Sequence, residues 1–310
     1  MRPGVLALVA VSLAALPAIV GGDYYVNLAT QVLIAAIFAM SLNLLVGYGG
    51  MTSLGHAAYL GVSAYATAWL TLRTGIGPLG AALAALAITT AMAGLYGVLA
   101  LRASGLGFLM ITLALGQILW GLAYRWVGLT GGDNGLSGLS RPAPFGVDLR
   151  NAVTFYYFCL AFFAAAAALI AAFVRSAFGA SLRGTRDQPR RMRALGYNVW
   201  LIRWLTFVVA GFWGAVAGLL YVYYNGFISP HALSLTQSAE VLLMVLAGGP
   251  ATLVGPLVGA ALVVVMKNVV SGYVERWTLL LGAVFVLIVM FLPEGLVPGI
   301  ARLYRRVRRS

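Results

Sequence analysis

The 310-residue chain is 62% hydrophobic and only 9% charged, with a mean hydropathy of +0.96. A soluble domain carries about 25% charged residues, so this chain cannot cover itself with a polar surface and is expected to have a bilayer as its solvent. A net charge of +13 can mark a nucleic-acid binder, but here the basic residues sit in loops and at the tail between apolar runs, as topology signals do. No interleaved aromatic surface accompanies them, which excludes nucleic acid as a partner. The single cysteine, Cys159, can form no intrachain disulfide and reads as a small apolar filler.

A spanning helix needs about 20 mostly apolar residues, and the chain offers about ten candidates. Residues 5–20 are read as a retained first helix, although a cleaved signal peptide has the same outline. A second span, 25–46, is broken at Gly47-Tyr48-Gly49-Gly50 and followed by Met51-Thr52-Ser53-Leu54-Gly55-His56. Spans at 57–72, 79–101 and 108–124 follow, separated by Gly75-Ile76-Gly77-Pro78 and Gly105-Leu106-Gly107. The loop 125–151 is rich in Gly, Pro and Asn. Its Arg125, Arg141 and Arg150 are offset by Asp133 and Asp148, so it lacks the bias of an inner loop. A sixth span, 152–174, leads into a polar stretch, 175–203, and a seventh, 205–224, exits to a polar turn, 225–236, holding Pro230 and His231.

The apolar run 239–247 is too short to cross as an ordinary helix: it rises roughly 14 Å against a core of about 30 Å. Gly248-Gly249-Pro250 ends it. Spans at 253–270 and 278–292 follow, then a tail with Arg302, Arg305, Arg306, Arg308 and Arg309. Ten crossings put the polar stretch and the tail on one side, whereas a re-entrant eighth segment would separate them. The eighth segment is therefore expected to be a broken crossing that continues past Pro250, with freed backbone groups that make it a pathway candidate. The glycine-rich breaks 49–55 and 248–255 align with a one-residue gap. An internal repeat, as at transporter substrate sites, or shared composition alone accounts for that.

The stretch 175–203 carries Arg175, Arg183, Arg186, Arg190, Arg191, Arg193 and Arg203 against one acid, Asp187. Each arginine costs roughly 2.5–3.5 kcal/mol at a bilayer centre, so burying the cluster would cost on the order of 20 kcal/mol. The stretch belongs in water, on the cytoplasmic side by the positive-inside rule. Asp187-Gln188-Pro189 reads as a helix start and Gly196 as its stop. Between them Met192 and Leu195 form a small apolar edge beside Arg190, Arg191 and Arg193. Such a helix plugs a groove on a partner protein; a basic loop on anionic lipid headgroups is the alternative.

Catalysis finds no footing. No Gly-x-x-x-x-Gly-Lys-Ser/Thr loop is present, Gly105-Leu106-Gly107 lacks the third glycine of a dinucleotide loop, and no Gly-x-Ser-x-Gly elbow occurs. His56 and His231, the two histidines, lie far apart and outside any zinc motif. No enzyme, cofactor or metal is expected. Ionisable groups in a membrane chain are functional suspects. Glu240 opens the short segment, where a helix N-terminus stabilises a carboxylate. Lys267 is placed to snorkel outward beside Glu275 and Arg276. His56 packs or hydrogen-bonds at the first break. Gln31, Asn43, Thr112 and Gln117 line a passage or glue helices together. The carboxylate ladder common in ion-coupled pumps is missing, which points to an energy source on another polypeptide.

Five ordered motifs carry a family resemblance: Leu42-Asn43-Leu44-Leu45-Val46-Gly47-Tyr48-Gly49-Gly50 with Ser53-Leu54-Gly55-His56; Thr112-Leu113-Ala114-Leu115-Gly116-Gln117; Leu129-Thr130-Gly131-Gly132 with Asn134-Gly135-Leu136; Ala194-Leu195-Gly196-Tyr197-Asn198; and Gly248-Gly249 with Thr252-Leu253 and Gly255-Pro256. From the second span to the last, the chain resembles the LivM-type permease subunits of bacterial ABC importers for branched-chain amino acids, within a broader family that includes ribose systems. The resemblance implies a second homologous permease subunit, two cytoplasmic ATPase subunits that bind the ATP, and an extracytoplasmic substrate-binding protein. It also implies a coupling helix, carried here by Pro189, Arg190, Arg191, Met192, Arg193, Ala194, Leu195 and Gly196. The family often has acidic residues where Gln188-Pro189-Arg190-Arg191 stand, and glycine at Ala251.

The expectation is an all-α polytopic membrane protein of about ten transmembrane helices. Residues 1–310 form a single permease domain, with 175–203 as cytoplasmic coupling loop and 125–151 as periplasmic loop. It sits in the bacterial inner membrane among lipid, both termini cytoplasmic, and translocates branched-chain or related amino acids. The translocation-pathway candidates are Gly49, Gly50, Ser53, His56, Gln117, Glu240, Gly248 and Gly249. An autonomous channel or secondary carrier for small polar solutes is the alternative.

Overall fold

The computed structural model describes residues 12–18, 22–142, 148–274 and 276–307. In a bilayer core an apolar run satisfies its backbone by coiling into a helix, and the described chain is nearly all helical. Its helices are α1 (Asp23–Asn43, prolonged by a π-helical turn Leu44–Tyr48), α2 (Ala57–Arg73), α3 (Pro78–Ala100), α4 (Leu106–Arg125), α5 (Ala152–Arg175) and α6 (Ala177–Asp187). They continue as α7 (Pro189–Ala194), α8 (Val199–Asn225), α9 (Leu235–Gly248), α10 (Gly255–Asn268), α11 (Trp277–Phe291) and α12 (Leu296–Val307). Among the described residues seven stretches are long and apolar enough to cross a membrane: Asp23–Tyr48, Pro78–Ala100, Leu106–Arg125, Ala152–Arg175, Val199–Asn225, Gly255–Gly272 and Leu279–Arg302. α2, with 17 residues, and α9, with 14, are shorter.

Most expected spans lie within a few residues of these helices. The seventh starts earlier, at Val199, because the Asn198 side chain accepts from the Leu201 amide at 3.0 Å and caps the helix there. Arg203 therefore sits on α8, not in a loop. Of the expected first span only 12–18 is described; it is helical, and its Leu13 carbonyl accepts from the Tyr156 hydroxyl of α5 at 2.6 Å. Glu275, Arg308 and Arg309 lie outside the described residues.

Contacts sort the helix ends into two faces. On one, Arg186 Nη1 donates to the Gly47 carbonyl at 2.7 Å, Arg203 lies beside 101–106, and Gly249 meets Pro298. This arginine face gathers 47–52, 101–106, 175–203, 249–254 and 292–298. On the opposite face Leu136–Ser137 pairs antiparallel with Phe227–Ile228. There Arg141 donates to the Tyr223 and Tyr224 carbonyls at 3.3 Å each and lies 4.4 Å from the Phe155 ring, knitting the long loop to α8 and α5.

α9 and α10 form an antiparallel hairpin. A side chain on Gly248 would overlap the Gly255 carbonyl, and one on Gly259 the Met244 carbonyl, so glycine is what lets the two backbones touch. The expectation that the short segment continues past Pro250 is corrected: the helix ends at Gly248 and the chain reverses through 249–254. That turn is closed by Thr252, whose hydroxyl donates to the Gly249 carbonyl at 2.7 Å and accepts from the Gly255 amide at 3.0 Å. α9 reaches the arginine face all the same, because it begins inside the bundle. Residues 227–234 fold inward, Leu233 packs on Gly61 of α2, and the Ser238 hydroxyl accepts from the Ala57 amide at 3.1 Å. The helix is shortened at its start, not interrupted midway.

α1 and α8 are the central helices. α8 presents Gly211 and Gly218, where added side chains would overlap Ala93 of α3 and the Leu60 backbone of α2. The Ser63 hydroxyl donates across to the Ala215 carbonyl at 2.7 Å. Lipid supplies no hydrophobic drive between helices, so close approach and such bonds hold the bundle together.

Candidate coupling helix and translocation elements

On the arginine face α6 is an amphipathic helix that the arginine count passes over. Its signals are Ser176, whose hydroxyl accepts from the Gly179 amide at 3.3 Å, and the buried spacing of Gly179, Leu182 and Thr185. Asp187 is corrected from cap to last residue of α6, where it takes the Arg186 Nε at 2.8 Å. Gln188 stands at the N-cap of α7 without a side-chain bond, and Pro189 opens the helix as expected.

α7 stops as expected at Gly196, whose φ of +86° is left-handed. The Gly196 amide donates to the Arg193 carbonyl at 3.0 Å and the Tyr197 amide to the Met192 carbonyl at 3.1 Å, a Schellman closure. The expected shared edge of Met192 and Leu195 is not formed. Met192 is buried against Gly184 and anchors α7 to α6, whereas Leu195 is 65% exposed. Tyr197 and Trp200 are exposed near it, with Arg190, Arg191, Arg193 and Ala194.

Arg186 ties this region to the membrane helices. Besides its bond to Gly47, its side chain runs over Gly50, where a Cβ would sit 2.6 Å from the arginine Cγ. One turn earlier on α1, buried Asn43 holds the hairpin: its Oδ1 accepts from the Ala251 amide at 2.9 Å and its Nδ2 donates to the Thr252 carbonyl at 2.8 Å. The two glycine-rich breaks thus touch each other. A continuous contact chain runs from α7 through Met192, α6, Arg186, the first break and Asn43 to the hairpin tip.

The remaining sequence candidates do not share one lining. Gly49, Gly50, Gly248 and Gly249 gather on the arginine face. Ser53 is buried at the first break, accepting from the Gly55 amide, and the Thr112 hydroxyl accepts from the Leu54 amide at 3.3 Å. His56 is fully buried, stacked on Phe38 with ring centroids 5.3 Å apart, and its Nε2 lies 2.7 Å from the Ser41 hydroxyl. That hydroxyl donates to the Phe38 carbonyl, so the imidazole donates from Nε2. Gln117 is half-buried on α4, beside the Gly116–Gly55 contact.

Glu240 and Lys267 are both corrected. Glu240 lies past the first turn of α9, and Lys267 does not snorkel alone: its ammonium grips both Glu240 carboxylate oxygens, at 3.0 and 2.9 Å. The sequence separates them by 27 positions; only the hairpin brings them together. Gln31 accepts from Asn268 at 2.9 Å nearby. Among the described residues no three His, Cys, Asp or Glu side chains gather as a metal set.

A helical bundle of this kind defines a multi-pass membrane protein, with apolar helices around a few buried polar residues and a basic helical loop at one face. The chain belongs to the family described as "Branched-chain amino acid transport system / permease component", whose profile matches residues 24–290. It is similar to the high-affinity branched-chain amino acid transport system permease protein LivM of Salmonella typhimurium (strain LT2) and to that of Escherichia coli (strain K12). Each is 27% identical over 297 residues, covering 88% of this chain and 70% of the relative. No solved structure matches the chain. The family is one of membrane transport permeases, not enzymes.

Proposed function

We propose that this chain is the transmembrane subunit of an ATP-driven importer that moves branched-chain or related amino acids across the bacterial inner membrane. The observation that carries the reading is α7, a rigidly closed helix whose Met192 is locked inward and whose Leu195 stands out on the basic face. A partner ATPase takes hold of Leu195 and the neighbouring arginines, a groove-and-helix contact. Membership in a transport-permease family and the similarity to the LivM relatives support it.

In this reading residues 1–310 are one permease domain that crosses ten times, the first span read from the sequence at 5–20, α1–α5 and α8–α11 being the crossings. The arginine face and both termini are cytoplasmic, as the positive-inside rule requires. ATP is bound and hydrolysed by two ATPase subunits. A second homologous permease completes the channel, and an extracytoplasmic binding protein delivers substrate to the opposite face. Displacement of α7 is carried by α6 and Arg186 to the first break, and by Asn43 to the hairpin tip. Gly49, Gly50, Gly248 and Gly249 are where the passage opens and closes.

The test is the pair Leu195→Asp with Gly196→Asp in the assembled transporter. ATP-driven uptake is abolished while membrane insertion persists; unimpaired uptake sinks the coupling role. Amino-acid movement by the purified chain alone, without ATPase, would instead make it a channel or secondary carrier.

A further inference from the structure

A cavity of about 370 Å³ lies on the arginine face between the first break, the 101–105 turn, the first residues of α4 and Arg203 of α8. We propose that it seats the phosphate of an anionic glycerophospholipid, with Arg203 as the counter-charge and the acyl chains running along α4. The proposal involves no ATPase and no transported solute, so it stands or falls independently of the importer reading.

Arg203 is half-buried, and its charge finds no counter-charge among the described residues. Its Nε is fully buried without a hydrogen-bond partner, and no described carboxylate pairs with the guanidinium. The chain has only seven acidic residues. Those described on the arginine face are already engaged, Asp187 by Arg186 and Glu294 by Arg302. Arg193 of α7 acts on Arg203 as a second cation, and Arg102 is exposed in the adjoining turn. A half-buried charge whose charged neighbours share its sign draws an anion from outside the protein.

The lining fits a phosphate diester. Thr52 and Ser104 bring hydroxyl donors to the same cavity as Arg203. The first turn of α4 has no side-chain cap, so its amides add donors to these. Beside them Leu106 is 78% exposed and Met110, one turn further along α4, 68%. That apolar strip, at the end of a helix long enough to cross a membrane, suits acyl chains and offers nothing to a free phosphate. Net charge decides among lipids. A phosphatidylcholine headgroup would set its ammonium among Arg102, Arg193 and Arg203, whereas phosphatidylglycerol brings the negative charge alone. The lipid so seated lies against Gly50 of the first break, which the Arg186 side chain also covers.

The experiment uses the full chain in lipid nanodiscs with Ala103→Cys, a half-buried position on the cavity wall, reacted with an uncharged maleimide. The wild-type chain is the blank, since Cys159 is 0% exposed. Ala194→Cys, exposed on the same face, measures the general effect of bilayer charge, and slowing is counted relative to it. Adding phosphatidylglycerol to a phosphatidylcholine bilayer should slow the labelling about fivefold, the factor that one basic side chain contributes toward an anionic lipid. Diacylglycerol, which keeps the chains and lacks the phosphate, should not slow it, and neither should millimolar inorganic phosphate over phosphatidylcholine. Arg203→Gln should abolish the slowing. Arg175→Gln, which removes the same charge from an exposed position on the same face, should leave it in place. The proposal is overturned by labelling indifferent to phosphatidylglycerol, by equal slowing with diacylglycerol, or by slowing that survives Arg203→Gln. Slowing lost equally in Arg175→Gln overturns it in favour of diffuse surface charge, and equal slowing by inorganic phosphate in favour of a soluble anion. The lipid series needs no charge variant, so it decides even where Arg203→Gln does not fold.

Discussion

Asn43→Ala tests whether the two glycine-rich breaks act as one unit. The wild-type side chain is 2% exposed and makes one accepting and one donating bond to the hairpin tip, at 2.9 and 2.8 Å. Removing it forfeits about 1 kcal/mol net for each bond and leaves the Ala251 amide and Thr252 carbonyl to find other partners at about 1–3 kcal/mol each. Both tip residues are only partly buried, so water recovers some of that loss and the expected cost is about 2–4 kcal/mol. In purified protein in one detergent, the thermal midpoint read by loss of monodisperse elution should fall by roughly 3–6 °C. The control is Gln31→Ala, which removes an exposed bond to Asn268 near the other end of the hairpin and should cost under about 1 kcal/mol. A midpoint for Asn43→Ala no lower than that of Gln31→Ala would refute the view that Asn43 holds the tip.

Four further outcomes are expected. Gly218→Val forces a side chain into the Leu60 backbone and should cost at least about 1–3 kcal/mol, read as lost folded yield. Gly121→Val, with nothing within 4 Å, should leave the yield unchanged. Gly196→Ala puts a side chain on a left-handed residue and should loosen the end of α7 by about 1 kcal/mol, read as faster hydrogen exchange at the Tyr197 amide. Arg186→Ala removes the bond to Gly47 and the packing over Gly50; under the importer reading proposed above, the chain should still insert while ATP-driven uptake falls. Unchanged uptake would remove Arg186 from the transmission route.

The helices of this protein were legible because a bilayer leaves an apolar run one way to satisfy its backbone. Pro189 and Gly196 were legible as the ends of α7 because proline and left-handed glycine act through their own backbone. Asp187 was misread because a cap and a helix's last residue look alike when the preceding helix, α6, goes unseen. Met192 and Leu195 were paired by spacing, yet only contact with Gly184 shows that one is buried and the other free.

The distribution between sequence and tertiary structure follows from range. Hydropathy, glycine breaks and the clustering of arginine determined that this is a many-helix membrane chain with a basic helical loop, since these are properties of consecutive residues. Which polar groups meet was decided only by the fold. Glu240 finds Lys267, Asn43 finds Ala251 and Thr252, and Arg186 finds Gly47 across separations of 27, more than 200 and 139 positions. No local pattern encodes such pairs. They form because glycine lets α9 and α10 touch, and because residues 227–234 fold inward to start α9 partway through the bundle.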